Sequence, residues 1–555
     1  MFALALVPVG SAGAATNLSQ KDGIAGCVTE TGSYGCLDGR GLVGATSIAL
    51  SANGENAYVA SPSWNSVSIL ARNPVDGALA PISNPTGCFD AVNFLYPDCT
   101  QVRELGGAGD IAVSPDGKNV YVAAPSDDAV IIFDRDPISG ALTLSTGIDG
   151  CVNEDGTNTC VDGRALDGAT SVIVSPDNLN VYAASSGPNG GLAIFDRDTG
   201  TGDLTQKPGA PGCVNETAVD SCTDGLNQML DVRDVQISPD GKTVYAASRT
   251  RDAVTIYTRN ESNGELTPVS LPDGCIKNGG GGGCQGGLGL IEARSVTVSP
   301  DGATAYVAGE RSDAVAIFDR DSSTGLLTQK AGTAGCYSNT GESDPSQAGT
   351  LGDCQDGIAM DGIDSIAILP DGSALYAATG ASDGVAVFER HPNGTLTQRP
   401  GSAGCFTETG YEDPGLSWTK GVCEDGRALI GADRIVASSD SRFVYTAAPG
   451  GGIGVFDVVE PPPPSPPAAA DPPPGEPPPS VTLECRQARE DLRQAKGRLK
   501  HAQGAIRWQR RLAQRTSNPV AKQKLSRAIK KNRGAVKRWG RVARHARARV
   551  ENLCP

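Results

Sequence analysis

The chain has 555 residues, of which 71 are glycine, 37 are proline and 16 are cysteine, and only 20% are charged. This length excludes one ordinary domain, unless the domain is a repeat array or a large all-β body. The glycine and proline content excludes long helices as the main architecture. The sequence contains no run of 18 apolar residues, which a transmembrane helix would need.

The charge is divided unevenly along the chain. Residues 481–555 contain 22 Lys and Arg and four acidic residues, whereas the preceding 480 residues contain 25 basic and 59 acidic ones. The net charge of −16 therefore averages an acidic body and a basic tail. This asymmetry predicts two modules with different partners.

Residues 1–15 are predicted to be a signal peptide. An apolar run from Phe2 to Val9 is followed by the small residues Ala12, Gly13 and Ala14, which suit signal peptidase. The usual positively charged start is missing, and a disordered apolar tail is the alternative. The pattern predicts a secreted or extracellular protein, with association with the cell envelope as a further option.

The cysteines form regular local pairs in even number, which predicts disulfides formed in an oxidising compartment. Zinc is the competing interpretation, but CxxC spacing and a neighbouring histidine are absent from these pairs, so no metal site is predicted. The predicted pairs are Cys27–Cys36, Cys88–Cys99, Cys151–Cys160, Cys213–Cys222, Cys275–Cys284, Cys336–Cys354, Cys405–Cys423 and Cys485–Cys554.

A repeat of 61 to 70 residues runs through the body of the chain. Each copy has a short apolar strand, an SPDG-like turn, a VYAA-like strand, a DAVxIFDR-like strand and an LTQK-like strand, followed by the cysteine-bounded loop. Four antiparallel strands per repeat describe a propeller blade. Seven copies are marked by Tyr58, Tyr121, Tyr182, Tyr245, Tyr306, Tyr376 and Tyr445.

The two ends of the repeat region predict how the ring closes. The segment 17–27, NLSQKDGIAGC, matches the fourth strand and loop of the repeat, and the last copy ends after its third strand, 452–458. The N-terminal strand is therefore expected to complete the last blade and remove an exposed edge. The fold class is mainly β, a seven-bladed β-propeller over residues 16–458.

The motifs Ser114-Pro115-Asp116-Gly117 and Val120-Tyr121-Val122-Ala123, with their counterparts, resemble the YVTN-repeat and lactonase-type seven-bladed propellers. The resemblance covers residues 17–458 and rests on strand and turn positions. It implies either a lactone-hydrolysing enzyme or a non-enzymatic binding scaffold, because propellers host many unrelated activities.

The strand order predicts that all seven cysteine loops lie on one face, together with the loops after the second strands. After the second cysteine, a DGR-like motif is expected to form a ring near the channel mouth that binds a ligand. An Asp-Gly turn is the structural alternative, and Ca²⁺ is the one cofactor left open. The candidate residues are Asp38, Arg40, Asp162, Arg164, Asp224, Asp356, Asp425 and Arg427.

The sequence offers no catalytic constellation. The propeller region contains one histidine, His391, on the hairpin between third and fourth strands and thus on the face opposite the cysteine loops. The catalytic residues are therefore unassigned.

The C-terminal part is predicted to be a proline-rich linker, 459–482, and a basic antiparallel α-helical hairpin, 483–555, with coiled-coil spacing. The Cys485–Cys554 disulfide would clamp its open end. Its basic surface is expected to bind an anionic cell-envelope polymer or surface. The alternatives are the acidic propeller itself and a merely solvated face, and sequence-specific nucleic-acid binding is not expected.

From these features we predict a secreted or cell-envelope binding or scaffold protein. It would display its stapled loops to a protein or glycan ligand, and non-enzymatic function is favoured. The alternative is a lactonase-like hydrolase that opens lactone rings with carboxylates near the channel mouth.

Overall fold

The computed structural model describes residues 17–82, 87–91, 99–145, 150–188, 191–345, 350, 352–411 and 421–459, and also Lys530, Lys537, Arg544 and Arg547. The chain divides into two units, Met1–Pro461 and Pro462–Pro555. The first unit contains seven mainly antiparallel sheets, which are the blades of the predicted propeller.

The first strand of each blade lies at one end of its sheet, next to the central channel. These strands are Ser47–Leu50, Asp110–Val113, Ala169–Val174, Val232–Ile237, Ala293–Val298, Ile363–Ile368 and Arg434–Ala437, in blades 1 to 7.

The second and third strands form the middle of each sheet. Every residue of the second strands is buried, because each has a strand on both sides and side chains packed on both faces. This burial explains their near-continuous Ala, Val and Tyr sequences. The second strands are Asn56–Ser61, Asn119–Ala124, Asn180–Ser185, Thr243–Ser248, Thr304–Gly309, Ala374–Thr379 and Phe443–Ala448. The third strands are Ser66–Arg72, Ala129–Arg135, Gly191–Arg197, Ala253–Arg259, Ala314–Arg320, Gly384–Arg390 and Gly452–Val459.

The fourth strand differs from the prediction, because it is split into two short strands that both pair with the third strand. The first pieces are Asn17–Gln20, Leu79–Pro81, Leu142–Leu144, Leu204–Gln206, Leu266–Pro268, Leu327–Gln329 and Leu396–Gln398. The second pieces, each opened by a cysteine, are Cys27–Thr29, Cys88–Asp90, Cys151–Asn153, Cys213–Asn215, Cys275–Asn278, Cys336–Ser338 and Cys405–Thr407.

A fifth, parallel strand, which the sequence did not predict, follows the second cysteine of each pair and forms the outer edge of the sheet. These strands are Leu37–Asp38, Thr100–Gln101, Val161–Asp162, Thr223–Asp224, Gln285–Gly287, Gln355–Asp356 and Glu424–Asp425. Short 3-10 helices lie at Gly23–Gly26, Ser33–Gly35, Pro62–Trp64, Ala210–Gly212, Val219–Ser221, Gly332–Gly335 and Gly401–Gly404.

The predicted ring closure is confirmed. Asn17–Gln20 pairs antiparallel with the last third strand, with Leu18 opposite Val458, and Cys27 and Val28 pair further along the same strand. The Nζ atom of Lys21 lies 2.5 Å from Oδ1 of Asp457. The N-terminus therefore supplies the outer part of blade 7.

Seven predicted disulfides are also confirmed, from Cys27–Cys36 to Cys405–Cys423. Each one links the first residue of the second piece of the fourth strand to the residue immediately before the fifth strand. Seven disulfides are consistent with folding outside the cytoplasm.

The repeated tyrosines link neighbouring blades at the face opposite the cysteine loops. In blade 2, the Tyr121 hydroxyl donates to the carbonyl oxygen of Gly202 in blade 3 at 2.8 Å and accepts a hydrogen bond from Nε of Arg197 at 2.7 Å. Gly202 has a φ of +86°, and a Cβ atom there would lie 2.1 Å from the Asn119 amide. The same tyrosine–arginine pair recurs at Tyr58–Arg135, Tyr182–Arg259, Tyr245–Arg320, Tyr306–Arg390 and Tyr445–Arg72.

Several predictions concern residues outside the described part of the chain: the signal peptide, the proline-rich linker and the Cys485–Cys554 disulfide. In the tail, Lys530, Lys537, Arg544 and Arg547 are helical and exposed. The helical hairpin as a whole stays a prediction. Among the described residues, no helix is long and apolar enough to cross a membrane.

Candidate active site

Three layers of residues lie along the central channel. The register of the first strands defines the ring and shaft layers, and the residue before each ring residue forms the rim layer. The rim layer, on the cysteine-loop face, is Thr46, Gly109, Thr170, Arg233, Arg294, Asp364 and Asp433. The ring layer, one residue further, is Ser47, Asp110, Ser171, Asp234, Ser295, Ser365 and Arg434. The shaft layer is Ala49, Ala112, Ile173, Gln236, Thr297, Ala367 and Val436.

A cavity of about 300 Å³ occupies the channel. Its wall includes ring residues such as Asp234 and Arg434 and shaft residues such as Ile173 and Val436. This volume is at the lower end of the range for small-molecule sites. The channel can therefore accommodate a compact ligand.

The ring layer is joined across the channel by a charged group. An Nη atom of Arg434 in blade 7 lies 3.4 Å from Oδ1 of Asp110, two blades away. Asp110 also accepts hydrogen bonds from the Ser47 hydroxyl at 2.7 Å and from the backbone N–H of Val172 at 3.0 Å. Burial raises the pKa of Asp234, and the nearby Arg434 guanidinium opposes that rise.

The rim layer contains an arginine surrounded by three carboxylates. Nε of Arg294 lies 2.8 Å from Oδ1 of Asp364, and its two Nη atoms lie 3.0 Å from Glu310 and 3.3 Å from Asp433. These residues come from blades 5, 6 and 7. They remain accessible to solvent, since Asp433 and Arg294 keep 24% and 26% of their side-chain exposure.

Two more arginines extend this cluster around the rim. Arg249, on the hairpin after the second strand of blade 4, lies 2.8 Å from Glu292 and 3.5 Å from Glu310. Arg233 lies 2.7 Å from Asp231. The rim thus has a charged arc on blades 4 to 7, and it faces a neutral arc of Thr46, Gly109 and Thr170 on blades 1 to 3.

The carboxyl groups of the charged arc have perturbed acidity. Burial raises the pKa of Asp364, and the negative charges of Asp433 and Glu310 add to that rise, while Arg294 lowers it. Burial likewise raises the pKa of Asp433, opposed by Arg294 and Arg434. Carboxylates with raised pKa values beside guanidinium groups are suited to proton transfer near neutral pH.

The structure corrects the position of the predicted aspartate ring. Those aspartates lie on or directly beside the fifth strands, at the opposite end of each sheet from the channel, and their side chains are exposed. The reason is the additional parallel strand, which moves the DGR motif to the outer edge before the chain crosses to the channel. The aspartates concerned are Asp38, Asp162, Asp224, Asp356 and Asp425.

Two of the predicted arginines have structural partners at this outer edge. The Arg164 guanidinium donates to the carbonyl oxygens of Lys207 at 2.8 Å and Gly209 at 3.1 Å in the next blade. Arg427 donates to Lys21 at 2.8 Å in the same way. Arg40 is exposed next to Asp38. Whether this outer edge also binds a ligand stays a prediction.

The rim residues were not identified from the sequence, because they belong to no short motif. Their signal is a departure from the repeat: blades 5, 6 and 7 place Arg294, Asp364 and Asp433 where blades 1 to 3 have Thr or Gly. His391, by contrast, lies where predicted, with Nε2 2.8 Å from the Thr397 hydroxyl. Within the described residues, no group of three or more His, Cys, Asp or Glu side chains is placed to hold a metal ion.

These observations define the class of protein: a seven-bladed propeller with a partly buried cluster of charged side chains at its channel mouth. The family model described as lactonase, 7-bladed beta-propeller, matches residues 44–149, 155–270 and 215–340. These matches cover more than half of the chain, which therefore belongs to the lactonase seven-bladed β-propeller family.

Two curated relatives are 6-phosphogluconolactonases. The protein of Bacillus subtilis is 29% identical over 190 residues, which cover 34% of this chain and 45% of that protein. The protein of Klebsiella pneumoniae is 22% identical over 231 residues, 42% of this chain and 59% of that protein. The chain thus spans about half the length of the curated relatives it matches.

Solved structures with a similar fold include a periplasmic gluconolactonase of Pseudomonas aeruginosa, with 16% identity and a TM-score of 0.44, covering 69% of this chain and 94% of that one. Hydrazine synthase of Kuenenia stuttgartiensis has 16% identity and a TM-score of 0.43, covering 77% and 99% of the two chains.

The family match and the lactonase relatives overturn the prediction of a non-enzymatic binding or scaffold protein. They support the alternative, a lactonase-like hydrolase. The sequence favoured the wrong class because the one histidine of the propeller region, His391, and the conspicuous DGR motifs lie away from the channel mouth, where the charged residues converge.

Proposed function

We propose that the propeller hydrolyses lactones at the charged arc of its channel mouth. The observation that carries the proposal is the cluster of Arg294 with Asp364, Asp433 and Glu310, within 3.3 Å, at the centre of a lactonase-family propeller. Guanidinium and carboxylate groups together supply what ester hydrolysis needs, a base for water and a positive charge for the developing oxyanion.

Asp433 is the proposed general base. It lies 3.3 Å from Arg294, it precedes Arg434 in the chain, and burial raises its pKa. Water adds through its oxygen to the lactone carbonyl carbon while one proton passes to Asp433. The ring C–O bond then breaks, and that proton goes to the leaving alkoxide. The product is the open hydroxy acid.

Arg434 and Arg294 are proposed to stabilise the negative charge that develops on the carbonyl oxygen. Both already lie beside carboxylates, so their orientation is fixed before substrate binds. Such preorganised charge is worth more at a partly buried site than in bulk water.

The test is proton release from a δ-lactone at pH about 6.5, where spontaneous hydrolysis is slow, with full-length protein. Asp433→Asn is expected to lower kcat by about 100-fold or more, the range for losing a general base. The matched controls, Asp162→Asn and Asp425→Asn on the outer edge, are expected to change kcat less than twofold. The proposal fails if wild type lacks turnover, or if the controls lose as much as Asp433→Asn.

The finer localisation is proposed as the cell envelope. Four exposed helical residues of the tail, Lys530, Lys537, Arg544 and Arg547, support electrostatic retention on an anionic envelope polymer. Replacing all four by glutamate in the full chain is expected to weaken binding to such polymers at low salt without affecting lactone turnover. Unchanged binding would contradict the proposed role of the tail.

A further inference from the structure

We infer that the lactone taken by this channel mouth is an uncharged, polyhydroxylated one, and that a phosphorylated lactone is rejected. The inference rests on the proposed lactone hydrolysis and concerns the substrate class of the same site.

The charged arc and the ring below it contain more carboxyl groups than guanidinium groups. The four arginines are Arg233, Arg249, Arg294 and Arg434. The seven carboxyl groups are Asp110, Asp231, Asp234, Glu292, Glu310, Asp364 and Asp433. Carboxyl groups still outnumber guanidinium groups by seven to five when Arg311 on the Glu310 hairpin is included, so a phosphate dianion is repelled by the ionised mouth.

Each of these arginines already has a carboxylate partner. The closest nitrogen-to-oxygen distances are 2.7 Å for Arg233, 2.8 Å for Arg249 and for Arg294, and 3.4 Å for Arg434. A carboxylate beside a guanidinium group balances part of its positive charge. Each of these four arginines therefore attracts a phosphate dianion less strongly than an unpaired arginine would.

The carboxylates suit a different ligand. A sugar lactone carries several hydroxyl groups, each of which can donate a hydrogen bond to a carboxylate oxygen. The rim layer opposite the arc consists of Thr46, Gly109 and Thr170, so it offers little apolar surface to a long alkyl substituent. The mouth therefore fits a compact ring with hydroxyl groups better than an acyl chain or a phosphate.

Arg311 is the residue that could reverse this selectivity. It is exposed on the same hairpin as Glu310, and among the residues that the structure describes no carboxylate lies within 4.0 Å of its guanidinium. If the protein binds a phosphorylated lactone, Arg311 is the available cation. Replacing Arg311 therefore distinguishes a protein that binds a phosphorylated lactone from one that rejects it.

The experiment compares kcat/KM of the full-length protein for glucono-1,5-lactone, its 6-phosphate and an alkyl-substituted δ-lactone, at about 50 mM and about 500 mM salt. We expect glucono-1,5-lactone to be preferred at least 10-fold over both. High salt should raise kcat/KM for the phosphorylated lactone and leave that for the uncharged lactone unchanged, because salt screens the repulsion.

Asp231→Asn provides the matched variant. It removes one negative charge at a φ of +59°, which asparagine tolerates. We expect the ratio of kcat/KM for the phosphorylated lactone to kcat/KM for the uncharged lactone to rise by about 3- to 10-fold. A wild-type preference for the phosphorylated lactone that Arg311→Ala abolishes would overturn this inference and leave lactone hydrolysis intact. Absence of turnover with all three lactones would overturn the proposed function itself.

Discussion

The links between blades allow a quantitative prediction at Tyr121. Its side chain is fully buried, and Tyr121→Phe removes a single hydroxyl. That hydroxyl donates to Gly202 and accepts from Arg197, so its loss leaves one buried carbonyl and one buried N–H without this partner. At about 1–2 kcal/mol for each group, the free energy of unfolding should fall by about 2–4 kcal/mol.

Tyr257→Phe is the matched control. Tyr257 is equally buried, but its hydroxyl contacts the thioether sulfur of Met229 at 2.7 Å, which is a weak acceptor. We expect this substitution to lower the free energy of unfolding by about 1 kcal/mol or less.

Urea unfolding, followed by near-ultraviolet circular dichroism with the disulfides intact, measures both variants. The urea midpoint of Tyr121→Phe should fall more than that of Tyr257→Phe, with unchanged slopes. Equal losses in the two variants would refute the claim that the tyrosine–arginine pairs stabilise the contacts between blades.

Four further outcomes are expected. Replacing Cys336 and Cys354 by alanine should lower the free energy of unfolding by about 3 kcal/mol in the chain-entropy model, as urea titration would measure. The raised pKa of Asp364 means that the folded protein binds this proton more tightly than the unfolded chain, so the wild-type protein should lose thermal stability as pH rises from about 4 through that pKa. Asp364→Asn should make this loss smaller, because asparagine does not titrate. Arg427→Ala should increase hydrogen exchange in the N-terminal strand of blade 7, since it removes the 2.8 Å bond to that segment. His391→Ala should leave lactone turnover unchanged in the proton-release assay, because His391 lies on the opposite face.

Much of the fold could be predicted from the sequence because its signals are local and repeated seven times. Three signals recur along the chain: the tyrosines equivalent to Tyr58, the SPDG turns and the cysteine pairs. The segment that begins at Asn17 resembles a fourth strand, which is explained if it completes the last blade and closes the ring. The split fourth strand was missed because three-residue strands carry too few alternating positions to be distinguished from a loop.

The site could not be predicted in the same way, because it is made by exceptions to the repeat. Arg294, Asp364 and Asp433 come from three blades, and only the closed ring brings their side chains within 3.3 Å. The DGR motif attracted attention because it recurs, but its aspartates lie at the outer edge of the blades, away from the channel. A single site in a ring of seven similar blades is formed by the positions at which the blades differ in sequence.

Lactone hydrolysis at the charged arc requires the lactone to bind at the channel mouth. A crystal structure of the protein soaked with the lactam analogue of its preferred lactone measures this directly. We predict that the lactam lies at the channel mouth, with its carbonyl oxygen within hydrogen-bond distance of Arg294 or Arg434 and its carbonyl carbon facing Asp433. A lactam bound instead at the outer edge, beside Asp162 or Asp425, would contradict it.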